Sequence, residues 1–167
     1  MSTELRQAAE TVRITRTYPA APERIWQLWT TAEGIESWWS PDGFTVEVGK
    51  LDVRHGGELV YTMTATAPEQ VAFMEGAGLP LSTESRKTFV EVEEPVRLSY
   101  TSLADFIPGV EPYDFLTVVE IRPAAEGAHV TMTVDAMHDE EWTQRLVAGR
   151  NNELDNLGGL FEGRQGA

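Results

Sequence analysis

Three histidines, a few strand carboxylates and a set of large aromatics are the residues of this chain that could do chemistry. His55 belongs to Arg54-His55-Gly56-Gly57, a turn where a polar residue is expected anyway. His129 alternates with Val130, Met132 and Val134, so it faces solvent if those three face a helix. His138, with Glu141 three residues on, could offer two metal ligands, but no third ligand is visible and no metal or other cofactor is expected. No Ser stands in a Gly-x-Ser-x-Gly elbow, which leaves a Ser-His-Asp triad without support. The chain has no Cys, hence no thiolate nucleophile, disulfide or Cys-ligated zinc.

The carboxylates are more suggestive. Asp52 and Arg54, at i and i+2 on a strand, share a face and could pair or reach a cavity mouth together; fixing a hairpin is the simpler role. Glu91, inside "FVEVEEP", is a candidate inward carboxylate whose pKa would rise if enclosed, making it a general acid or base; most strand Glu residues are exposed instead. The aromatics give the strongest signal. Trp39, Tyr61, Met63, Tyr100, Phe115 and Trp142 lie toward one side if strand alternation holds, and could line a cavity or fill it as ordinary core. Trp26 and Trp29 are assigned to packing.

The elements that must position these residues follow from hydrophobic period. His138 to Phe161 is the longest helical run, opened by Asp139, Glu140 and Glu141 and stopped at Gly163. Trp142, Leu146, Gly149, Leu154, Leu157 and Phe161 form its apolar stripe, which must be buried against something else. Upstream, Val12 to Thr17 reads as a strand ended by Pro19. Pro22 opens a short helix with Ile25, Trp26, Leu28 and Trp29, and Thr30 with Glu33 makes a capping box for a second, Ala32 to Trp39. From Phe44 the period is two. Phe44 to Arg54 turns at Gly56-Gly57 into Leu59, Tyr61 and Met63 on one face, a hairpin. Thr66 to Leu81 suggests a short helix, and Arg86–Val92, Val96–Ser102, Asp114–Ile121 and Ala128–Asp135 are four further strands, with the Asp105–Pro112 loop between the middle two. Seven consecutive strands with short turns make an antiparallel meander that curls around the long helix. Residues 11–162 read as one domain, and Met1 to Glu10 as a frayed end.

Composition narrows the function classes. The formal charge is −14, from 27 acidic and 13 basic residues, so nucleic acid and anionic membranes are poor partners. Only Lys50 and Lys87 among the basic residues are Lys. No apolar run approaches membrane-spanning length and no signal pattern opens the chain, which makes the cytoplasm the expected location.

The stretches "RTYPAAPERIWQLWTTAEGIESWW", "LDVRHGGELVYTM", "VEVEEPVRLSYT" and "LVAGRNNELDNL" together resemble the START-like (SRPBCC) superfamily. Within it they are similar to the AHSA-type family, relatives of the C-terminal domain of the activator of the ninety-kilodalton heat-shock protein's ATPase. The resemblance implies an α+β helix-grip fold with an apolar cavity between sheet and C-terminal helix. Arg150 departs from relatives that often carry Trp just after the helix glycine. On the pocket side it would be a buried guanidinium needing a partner, such as a ligand anion; the rarity of buried Arg favours the surface. Thr66 to Leu81 is longer than the usual turn and reads either as a lid or as an inert insertion. The expected function is binding of a small apolar or aromatic molecule by Trp39, Arg54, Tyr61, Met63, Tyr100, Phe115, Trp142, Leu146 and Arg150. The alternatives are a cyclase- or lyase-type enzyme using Glu91, Asp52 or Tyr61, and, by analogy alone, an accessory factor of a chaperone ATPase.

Overall fold

The computed structural model of the chain describes residues 11–40, 43–104 and 109–165, with side chains as far as Phe161. The frayed end expected at Met1 to Glu10 and positions 105–108 of the Asp105–Pro112 loop lie outside the described residues. Seven strands form one antiparallel sheet: β1 (Thr11–Tyr18), β2 (Phe44–Leu51), β3 (Glu58–Ala65), β4 (Ser82–Glu93), β5 (Arg97–Ala104), β6 (Tyr113–Ala124) and β7 (Gly127–Asp135). Helices α1 (Pro22–Thr30) and α2 (Ala32–Trp38) follow β1, α3 (Pro68–Gly76) separates β3 from β4, and α4 (Glu140–Gln165) closes the order.

The strands form where apolar residues alternate with polar ones, and burial follows the same period. In β7, Ala128, Val130, Met132 and Val134 are buried while His129, Thr131 and Thr133 lie on the other face. The hairpin before β3 needs its glycines. Gly56 has φ +82°, and a Cβ on Gly57 would collide with the Asp52 carbonyl oxygen. That turn docks onto β4 through Gly56 N–H to Phe89 O and Phe89 N–H to Gly57 O, both 2.8 Å.

Three details differ from expectation. The sheet is not a pure meander: β1 leaves β2 and pairs with β7, giving the order β1-β7-β6-β5-β4-β3-β2. The helix pair α1–α2 carries the chain from one edge strand to the other. The α2 cap is Thr31, whose Oγ accepts from Gly34 N–H at 3.0 Å, while Thr30 donates back to Trp26 O. Helix α4 runs past Gly163 to Gln165. Its N-cap is Asp139, as expected, with Oδ1 accepting from Trp142 N–H at 2.8 Å. Among the described residues no helix is long and apolar enough to cross a membrane.

Helix α4 is clamped along its second half. Leu154, Leu157 and Phe161 are buried, Tyr18 donates to Leu154 O at 2.8 Å, and Asn156 donates to Ser40 O at 3.0 Å. The α4 backbone runs closest to β1 and α2. Toward the central strands, side chains span the distance, and in the first half Trp142, Leu146 and Val147 are only half-buried.

Candidate functional site

Between α4 and the inner face of the sheet, β3, β4, β5 and β6 deliver one side chain after another to the same place. Tyr61 from β3 and Tyr100 from β5 flank Trp39, at ring separations of 6.1 and 6.2 Å, and Phe89 from β4 meets Tyr100 at 6.5 Å. All four are buried, so these rings pack on one another. Met63 and Leu146 are half-buried against the core, Phe115 is buried, and Trp142 lies tilted at 6.3 Å from His138.

Set among the rings are charges. Lys87 on β4 is buried, and its Nζ donates to Ser102 Oγ at 2.8 Å while lying 5.9 Å from the Tyr61 ring and 5.7 Å from the Tyr100 ring. Arg150 of α4 is buried as well, with a side chain only 6% exposed. Its Nη1 pairs with Glu153 at 3.2 Å and its Nη2 donates to Thr117 Oγ on β6 at 3.2 Å. The surface position expected for Arg150 is therefore wrong. Arg150 stands four residues after Leu146 and four before Leu154 and shares their inward face, while Gly149, expected on the stripe, is exposed.

Among the described residues, three buried atoms here have no hydrogen-bond partner: Arg150 Nε, Tyr100 OH and Trp29 Nε1. The indole nitrogen of Trp29 neighbours the Tyr100 oxygen, yet the pair does not close a hydrogen bond. Trp29 is thus packed, as expected, and also presents a donor to this cluster. Burial pushes Lys87 below its ordinary pKa; Tyr61 opposes that shift, the Arg150 charge reinforces it, and Glu153 opposes it. Burial also acts to lower Arg150, but Glu153 and the two tyrosines outweigh it and hold the guanidinium above its ordinary value. Burial raises the Tyr100 phenol, against the pull of Arg150.

The other sequence candidates lie elsewhere. Glu91 is not inward. A register shift between Phe89 and Glu91 turns it to the outer face, where it is exposed, accepts from Ser99 Oγ and pairs with Arg97 at 3.0 Å. Asp52 and Arg54 pair with each other at 2.8 Å at the hairpin, with Arg54 74% exposed, so they fix the turn and stand away from the interior cluster. His129 faces outward against Thr17, His55 Nδ1 meets Val90 O, and His138 meets Tyr113 OH while Glu141 is held by Arg145. Among the described residues no group of three metal-ligating side chains occurs.

Two clefts open elsewhere on the surface. One of about 540 Å³ follows the clamp between β1 and α4, lined by Arg16, Tyr18, Leu154, Asp155 and Phe161. The other, about 390 Å³, lies where α1 meets α2, beside Arg24, Thr31 and Glu33.

A curled antiparallel sheet that grips a long final helix, with two short helices after the first strand, defines the START-like, helix-grip class of α+β proteins. Within that class the chain belongs to the family described as activator of Hsp90 ATPase homolog 1-like protein, whose model matches residues 19–162. Among solved structures it is similar to a protein from Chromobacterium violaceum, with 24% identity over 92% of this chain and 97% of that chain and a TM-score of 0.73. An AHSA1-like protein from Aeromonas hydrophila is 22% identical over 93% of this chain and 94% of that one, with a TM-score of 0.70. A Mycobacterium smegmatis protein is 21% identical over 95% and 94%, also with a TM-score of 0.70. These likenesses speak for the fold. No curated protein matches the chain.

Proposed function

We propose that this protein binds a small apolar or aromatic molecule between the inner face of the sheet and the first half of α4. One observation carries the reading. The helix is anchored through Leu154, Leu157 and Phe161, whereas Trp142, Leu146 and Met63, packed against the margin of the buried core, keep part of their apolar surface uncovered. Apolar side chains left half-covered next to a packed aromatic wall are what a flat or greasy guest would cover. Proteins of this fold class are known for hydrophobic ligands, which agrees with it.

The enzyme reading loses its carboxylates, because Glu91 and Asp52 both lie away from the interior. The test is a thermal-shift titration with neutral aromatic probes such as N-phenyl-1-naphthylamine, since a ligand that binds only the native state raises Tm. Tyr61→Ala and Trp142→Ala should diminish the shift and His129→Ala should leave it intact. A wild-type protein whose Tm ignores the whole probe series has no such site.

A further inference from the structure

Resting on that reading, we infer that the bound molecule carries an anionic head, a carboxylate or a phosphate, which seats between the Lys87 ammonium and the Arg150 guanidinium beneath the aromatic rings. The argument is a census of donors and acceptors. Lys87 and Arg150 bring two positive charges into the interior, and Glu153 brings one negative charge, engaged with Arg150. Among the described residues Lys87 has no carboxylate within ion-pair distance; of its three ammonium protons one goes to Ser102 Oγ, and the neutral Tyr61 phenol lies near enough to draw another. Arg150 Nε and Trp29 Nε1 add two more buried donors without a full partner, and the Tyr100 hydroxyl, also without one, can donate as well as accept.

The carboxylate within reach is already taken, and the Tyr61 and Tyr100 phenols can accept only as neutral oxygens. Thr117 Oγ accepts from Arg150 Nη2, and the Glu153 oxygens accept from Nη1. Buried polar groups are nearly always satisfied, and a buried charge is normally paired. A site with spare donors, spare positive charge and no spare carboxylate is complementary to an oxyanion. Water could serve individual donors but would leave the excess charge uncompensated. The shift of Lys87 agrees, since a positive neighbour and burial both press on an ammonium that an anion would relieve. The exterior sharpens the point. In a chain with 27 acidic residues, one of only two lysines is enclosed where no carboxylate meets it.

The experiment compares two probes on the purified full chain: 1-anilinonaphthalene-8-sulfonate and N-phenyl-1-naphthylamine, the same rings without the sulfonate. The sulfonate should bind the wild type at least about tenfold more tightly, the scale of one charged hydrogen bond. Lys87→Met should abolish that advantage. Equal affinity of the two probes for the wild type overturns the anionic head and leaves the proposed binding site standing, whereas failure of both probes overturns the site as well. A sulfonate advantage that survives Lys87→Met overturns the assignment, because the charge preference would then come from elsewhere on the molecule. Should that variant fail to fold, displacement of the sulfonate from the wild type decides. Displacement by laurate or by dodecyl phosphate, but not by dodecanol, supports the inference and tells a carboxylate head from a phosphate; equal displacement by dodecanol overturns it.

Discussion

Lys87 sets the energetic tone at the residue scale. A buried ammonium with only neutral hydroxyls for partners is held at a cost in desolvation, and replacing such a group by an apolar isostere is neutral or stabilising. Lys87→Met should therefore raise the unfolding free energy, on the order of 1 kcal/mol, in urea denaturation; a loss of several kcal/mol would show that the ammonium is structural. The phenols give a pH signature. Tyr18 and Tyr100 are both raised by burial, so the native state keeps protons that the unfolded chain releases above about pH 10. Their contribution is whole below that value and is lost as pH climbs toward the raised folded pKa. Unfolding free energy measured against pH should fall there, and Tyr100→Phe should flatten the fall. Both buried cations were legible as pattern. Lys87 stands two residues before the inward Phe89, and Arg150 stands midway in the Leu146, Arg150, Leu154 spacing. The rule that charges stay outside ran against that pattern and gave the wrong side for Arg150. The partnerless donors were not legible, because they depend on which oxygens other elements bring near.

Among the elements, α4 behaves as two segments. Leu157 is fully buried in the clamp and Leu146 is half-buried in the looser half. Leu157→Ala should cost about 2–5 kcal/mol and Leu146→Ala clearly less, read by chemical denaturation. Equal losses would mean that the helix is gripped uniformly. Helix α3 has no buried residue, with Phe73 64% exposed, while its base is tied to Gly43 O through Thr66 and Ala67. If α3 serves as a lid, Phe73→Ser should shorten the residence of a bound probe in stopped-flow release without moving the stability; an inert insertion would change neither. Existence and order of the strands and of the other helices were readable because each carries its own period, whereas α3, which buries nothing, was marked mainly by Pro68 and the Gly76/Gly78 pair. The Glu91 side chain was not, since one extra residue at the Phe89–Glu91 shift reverses every inward and outward assignment after it. Nor was the pairing of β1 readable, because a strand's pattern states its face and not its neighbour.

For the whole molecule, a formal charge of −14 surrounds an interior with a positive surplus. An anionic guest must cross a repelling field to reach an attracting pocket, so its association rate should rise with salt while that of a neutral probe stays flat. Rates falling with salt would place the encounter on a basic patch. The β1–β7 pairing carries a last consequence. Thr17 meets His129 across 112 positions of chain, so the first strand emerges during synthesis long before its hydrogen-bonding mate exists. Until the seventh arrives, the earliest piece of the barrel-like wall must wait with its edge bare. Nascent fragments cut short of β7 are thus expected to associate with one another, and a ribosome-stalled series should acquire protease resistance only after residue 135 has cleared the exit tunnel.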